Sequence, residues 1–230
     1  MARLALKRPG PVRRRLVRLY EALDRRYGPQ GWWPGRSAFE NVVGAILAPH
    51  AAGPEVERAI ARLRSAGGLT PERLARLGPG RLATLLGPSG AFRAKARRLR
   101  AFVDYLAMRH DGRLRRMLRR PTSGLREELL ALPGIGPETA DAILLYAAGR
   151  PVFVVDAYTR RILARHRIVA PTVAHARLQA LIMANLPHDP ALFGEYHALL
   201  VRVAKEHCRT RPRCEGCPLR PDLGGRPPRG

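Results

Sequence analysis

Leu132-Pro133-Gly134-Ile135-Gly136-Pro137-Glu138-Thr139-Ala140, followed by an apolar stretch and then Val154-Val155-Asp156-Ala157-Tyr158-Thr159-Arg160, decides the reading of this chain. It predicts a tight glycine hairpin feeding a helix N-terminus, with one carboxylate a short way downstream. Gly134 and Gly136 let backbone N–H groups approach a ligand with no side chain in the way, and the start of the helix adds a partial positive charge. Together these make a device for holding a phosphate. A plain helix–turn–helix connection uses the same residues, so the rest of the chain must decide between the two. Lys and Arg number 42 against 18 Asp and Glu, for a net charge of +24. A phosphate cradle on a chain this basic points to a nucleic acid partner.

Composition sets the outer bounds. A chain of 230 residues with 46% hydrophobic content can bury a sizeable core, as one large domain or two small lobes. No apolar run reaches the roughly 18 residues that a membrane span needs. The start, Met1-Ala2-Arg3-Leu4-Ala5-Leu6-Lys7, lacks the apolar core and cleavage site of a secretory signal, which predicts a cytoplasmic protein with no membrane partner. The 3 cysteines all fall within Cys208–Cys217, too few and too close together for a disulfide framework. The surplus charge is nearly all Arg, and the scarcity of Asp and Glu supports a polyanion as partner.

Periodicity and punctuation predict an all-α fold of around ten helices. Val12, Leu16, Leu19, Tyr20 and Leu23 recur at helical spacing from Val12 to Tyr27, with arginines opposite. Ser37-Ala38-Phe39-Glu40 has the form of a capping box opening an apolar helix, Val42 to Leu47. Pro54 to Arg64 is amphipathic and ends at Gly67-Gly68; Thr70-Pro71-Glu72 supplies an N-cap and a proline at the first helical position. Ala91 to Met108 reads as a long basic helix. Val152 to Val155 suits a strand by residue type but stands alone, with no other alternating segment to pair with.

With these motifs in view, the chain resembles the helix-hairpin-helix glycosylases of the endonuclease III superfamily, from about Trp32 to Cys217. Three segments are similar to the branch of 3-methyladenine DNA glycosylase: 133–147, Val154 to Arg161, and Glu195-Tyr196-His197-Ala198-Leu199-Leu200. Trp32-Trp33-Pro34 and Phe39 to Leu47 fit the same branch. The resemblance implies a two-lobed helical fold with a C-terminal metal-cluster loop. One lobe would span 36–150 and end in the hairpin motif; 1–35 with 151–230 would make the other. It further implies a monomer acting on double-stranded DNA that carries a damaged base.

The implied chemistry can be set against physical need. Breaking an N-glycosidic bond gives the sugar oxocarbenium character, so a nearby carboxylate stabilises that charge or activates the attacking water. Asp156 matches the family's catalytic Asp; as a plain residue it is also a favoured N-cap for a helix Ala157–Arg165, and the two roles are compatible. Bifunctional relatives carry at position 138 a Lys whose amine forms a Schiff base and leads to strand cleavage. Glu138 cannot form that imine, which favours a monofunctional glycosylase. Glu138 therefore joins Asp156 as a candidate catalytic position, its plainer reading being a favourable charge at a helix start. Flipping a base out of the duplex costs a few kcal/mol, recovered in part by stacking. Trp32 and Trp33 lie where relatives place aromatics against the extruded base, and a cationic alkylated base gains extra from indole. Gly134, Gly136, Thr139, Arg93 and Lys95 are the expected DNA contacts.

The chain also departs from the family. Relatives usually read Thr-Gln-Asn-Thr after the apolar helix, then an aromatic two residues on; here stand Ala48-Pro49-His50-Ala51, with Gly53 at the aromatic's place. His50 is the candidate polar replacement in the base pocket. Ala91 and Arg93 replace a bulky wedge and an Asn. At the C-terminus, Cys208, Cys214 and Cys217 resemble the loop that holds a [4Fe–4S] cluster with four thiolates, but the position of the fourth is Leu223. Asp222 is taken as the fourth ligand, with His207, an external thiol or water as alternatives; zinc on three Cys and one His is another reading by ligand type. Two functions from different classes follow. One is a monofunctional glycosylase for alkylated bases in base excision repair; the other is a non-catalytic DNA-binding or damage-sensing relative with an eroded pocket.

Overall fold

A computed structural model describes residues 10–31, 35–67, 69–87 and 90–229. Twelve α-helices run through them: α1 (Pro11–Tyr27), α2 (Ala38–Leu47), α3 (Gly53–Ser65), α4 (Pro71–Arg76), α5 (Pro79–Leu86), α6 (Gly90–His110), α7 (Leu114–Leu118), α8 (Thr122–Leu130), α9 (Pro137–Ala142), α10 (Ala157–Arg165), α11 (His175–Asn185) and α12 (Pro190–Glu206). A π-helical turn, Ile143–Ala147, prolongs α9, and a 3₁₀ turn covers Arg220–Leu223. No strand occurs among the described residues, so the all-α reading holds. The chain divides into two compact units, one formed by Met1–Trp32 with Val152–Gly230, the other by Trp33–Pro151.

In the unit Trp33–Pro151, α2 is the central helix. Phe39, Val42, Val43, Ala45, Ile46 and Leu47 are all buried on it, and it packs against α3, α6, α9 and the π turn. Each such aliphatic side chain stabilises the unit by about 1.5–3 kcal/mol. Ser37 Oγ accepts from the Glu40 N–H at 3.2 Å, as the N-cap reading requires. The expected capping box is only half formed, because the Glu40 carboxylate accepts from Arg64 Nη2 at 2.7 Å instead. A charge-assisted bond to a guanidinium is stronger than one to a backbone N–H. The π turn leaves Tyr146 O to a side-chain donor, Asn41 Nδ2, at 2.6 Å.

In the other unit, α12 is central. Phe193, Tyr196, Leu199, Leu200 and Val203 are buried, and α1 brings Leu16, Leu19 and Leu23 against it. Phe153 meets Phe193 edge to face at 5.5 Å, and Tyr196 OH donates to Leu16 O at 2.9 Å. The segment Val152–Val155 is buried and lies outside any regular element, and no strand pairs with it among the described residues. Its backbone is served by a side chain, Gln179 Nε2 donating to Phe153 O at 2.7 Å. Its β-type composition thus reflects burial among helices.

Candidate active site

The hairpin forms as the sequence predicts. The Ile135 N–H closes on Leu132 O at 3.1 Å, and Leu132 and Ile135 are buried pegs on either side of Gly134. Gly134 has φ +78°, and a Cβ there would stand 2.5 Å from Arg98 Nε. The left-handed backbone disfavours a larger residue, and a Cβ would also displace the Arg98 side chain. Beneath the hairpin, the fully buried carboxylate of Asp141 accepts from Arg126 Nε at 2.7 Å, tying α8 to α9. Arg98 is a basic residue at the hairpin that sequence reasoning missed; it lay unmarked among the many arginines of α6. Gly136 and Glu138 are exposed at the start of α9.

Asp156 is the N-cap of α10. Its Oδ1 accepts from the Thr159 N–H at 2.6 Å. Its Oδ2 faces His197 Nε2 from α12 at 3.5 Å, within ion-pair reach but longer than a hydrogen bond. Both side chains are buried, at 9% and 7% exposure. Burial by itself would raise the carboxyl's pKa, yet His197 and the Thr159 N–H outweigh it and hold Asp156 below the usual carboxylate range. The cap expected from sequence is therefore real, and the group is also a buried anion at neutral pH. His197 is the second residue that sequence reasoning left without a role. Its signal was available: a lone ionisable residue at Tyr196-His197-Ala198, inside an otherwise apolar helix face.

The cysteines are free thiols, each half-buried. Together with His207, Leu219 and Leu223 they line a small, open pocket. Arg165 Nη1 donates to Cys208 Sγ at 3.3 Å and Arg161 Nε to Cys208 O at 2.7 Å, so α10 braces the loop. Burial and the neighbouring thiols push the Cys217 pKa up. Among the described residues no group of three or more His, Cys, Asp or Glu side chains gathers as a site for a metal ion. Asp222, expected as a cluster ligand, has other partners in the fold. Its carboxylate accepts from Arg15 Nη2 at 2.6 Å and pairs with His166 Nδ1 at 2.8 Å, and it does not line the pocket. Two partners already occupy it, while His207 lines the pocket with Nδ1 3.1 Å from Arg213 O.

Two residues expected at the DNA, Lys95 and Thr139, are buried in the unit. Lys95 is 2% exposed and donates from Nζ to Leu47 O at 2.6 Å, satisfying the open C-terminus of α2. Burial lowers its pKa, and no face of it is left for a phosphate. Thr139 is 6% exposed. Arg93 is exposed, as a phosphate contact requires. His50 is exposed in the turn after α2 with φ +57°. Trp32 and Trp33 lie outside the described residues.

Comparison with known proteins bears on this arrangement. Residues 43–188 match the family model of the HhH-GPD superfamily of base excision DNA repair proteins. A protein of Methanocaldococcus jannaschii, named by inference a DNA repair glycosylase, is 36% identical over 207 residues, covering 89% of this chain and 94% of its own. Endonuclease III of Thermotoga maritima is 32% identical over 152 residues, 66% of each chain. Among solved structures, the 3-methyladenine DNA glycosylase of Helicobacter pylori has a TM-score of 0.71 at 24% identity, over 83% of this chain and 97% of that one. Endonuclease III trapped as a covalent intermediate with DNA has a TM-score of 0.76 at 21% identity, over 90% and 93%.

Proposed function

Because the chain belongs to the HhH-GPD superfamily of base excision DNA repair proteins, we propose that it is a monofunctional DNA N-glycosylase, hydrolysing the bond between deoxyribose and a damaged, alkylated base. The observation that carries the reading is Asp156: buried, yet held as an anion by the α10 N-terminus and His197. A carboxylate kept charged in a low-dielectric setting favours a cationic transition state far more than one in water. As the bond breaks, positive charge on the sugar meets this carboxylate. Water then adds at the sugar carbon, and the departing base leaves with its electron pair and takes a proton. Glu138 offers no amine, so the abasic product remains an intact strand. Duplex DNA is bound through its phosphates, by the Gly134–Gly136 hairpin and the arginines around it. Alkylated bases are the favoured substrate class on the motifs 133–147, 154–161 and 195–200 and the Trp32-Trp33-Pro34 stretch.

Cys208, Cys214 and Cys217 would hold a [4Fe–4S] cluster. A single zinc ion draws its thiolates to about 2.3 Å from one centre, whereas a cluster spreads them over separate irons. Three thiols lining one pocket supply the soft donors that such a cluster takes, as they would for zinc. It would act as a staple for the C-terminal loop and takes no part in base release.

The test is a screen of purified protein on duplexes carrying single alkylated bases, assayed with and without alkali. Base release that reveals strand breaks only after alkali, and that is abolished in Asp156→Asn with DNA affinity kept within a few-fold, supports the assignment. Undiminished activity of Asp156→Asn would make Asp156 a cap alone. A protein that binds such duplexes and releases no base would be the non-catalytic relative.

A further inference from the structure

On the glycosylase reading, we propose that His197 is the positioning residue for Asp156, fixing the oxygen that the helix cap leaves unassigned. The cap uses one side of the carboxylate only: Oδ1 accepts from the Thr159 N–H at 2.6 Å. An Asp in that role alone could turn its second oxygen freely, and Asn or Ser would cap as well. Here the second oxygen faces His197 Nε2 at 3.5 Å, delivered by α12 from 41 positions along the chain. An imidazole at ion-pair distance from a carboxylate oxygen favours one placement of that oxygen and still leaves lone pairs for a substrate.

Two features set this apart from ordinary packing. A histidine at 7% exposure on an apolar helix costs stability unless its polar atoms are used, and the group it faces is the proposed catalytic one. The polar groups that act on Asp156 divide by element: α10 supplies the Thr159 N–H, and α12 supplies His197, its titratable neighbour. Without His197, desolvation by burial would act on the carboxyl opposed only by the cap, and protonation would remove the charge that the oxocarbenium needs.

His197→Leu and His197→Gln test this, leucine filling the volume without a donor and glutamine restoring an N–H. Three quantities are measured: single-turnover base release from a dimethyl sulfate-treated duplex, affinity for that duplex, and titration of the Asp156 carboxyl by carbon-13 NMR without DNA. His197→Leu is expected to slow base release at neutral pH by about tenfold or more and to raise the Asp156 titration by about one unit or more. DNA affinity should stay within a few-fold, and His197→Gln should recover most of the rate. An unmoved titration and rate in His197→Leu would overturn the proposal. So would equal loss of rate in both variants, which marks a packing role. If the wild-type protein releases no base from any probe, the glycosylase reading falls instead. The substrate-free titration then still separates a His197 that governs Asp156 from one that does not.

Discussion

Replacing Asp222 by Asn removes a charge from the network that ties the C-terminal turn to α1 and α10. Its carboxylate accepts from Arg15 Nε at 3.1 Å and Nη2 at 2.6 Å, and pairs with His166 Nδ1 at 2.8 Å. Side-chain exposure is 8% for Asp222, 8% for His166 and 26% for Arg15. A hydrogen bond to a charged group contributes about 1.5–3 kcal/mol, against about 1 for a neutral one. Arg15, a quarter exposed, regains water when its partner is neutralised, and His166 does not. The expected loss is therefore about 2–3 kcal/mol, below the roughly 3–5 kcal/mol for a fully buried pair broken on one side. Burial alone would raise the Asp222 pKa, but His166 and Arg15 outweigh it and hold the carboxyl far below its ordinary value of 3.8. A depressed carboxylate contributes stability that is complete above its ordinary value and is lost as pH falls below it. Urea unfolding followed by circular dichroism should show the full difference between wild type and Asp222→Asn at neutral pH, shrinking in acid. The double variant with Arg15→Ala should lose less than the sum of the single losses. A loss under about 1 kcal/mol at neutral pH, or strict additivity with Arg15→Ala, would refute the reasoning.

Further outcomes follow from other sites. Borohydride added during turnover should trap no protein–DNA adduct, because Glu138 has no amine and Lys95 is committed to Leu47 O; efficient trapping would refute monofunctional chemistry. Arg98→Ala should weaken binding to damaged and undamaged duplexes alike and reduce the salt slope by about one, as loss of a phosphate contact does; an unchanged slope would place Arg98 off the DNA. The purified protein should be yellow-brown from thiolate-to-iron charge transfer, and Cys214→Ala should bleach it. A colourless protein with stoichiometric zinc would overturn the cluster.

The helices were legible wherever the signal is local. Ser37 and Thr70 cap as read, accepting from N–H groups at 3.2 and 3.3 Å, because an N-cap involves residues three apart in the chain. Asp156 caps α10 for the same reason. Glu40 and Lys95 take partners that the sequence does not show, because Arg64 and Leu47 come from other helices. Lys95 shows the difficulty most clearly. In sequence it is one more cation on a basic helix; in the fold it serves a carbonyl at the end of α2.

The sequence by itself determined the all-α architecture, the hairpin around Gly134, the polyanion-seeking charge, the lysine-free position 138 and the three-thiol loop. All of these are properties of residue type and short spacing, which need no knowledge of what packs against what. Only the tertiary structure decided that His197 faces Asp156, that Asp222 belongs to Arg15 and His166, and that Lys95 and Thr139 are buried. Those outcomes depend on which distant side chain reaches a buried charge first. That competition is settled by packing, since desolvation makes an unpartnered charge or donor costly and rewards whatever partner the fold brings within about 3 Å.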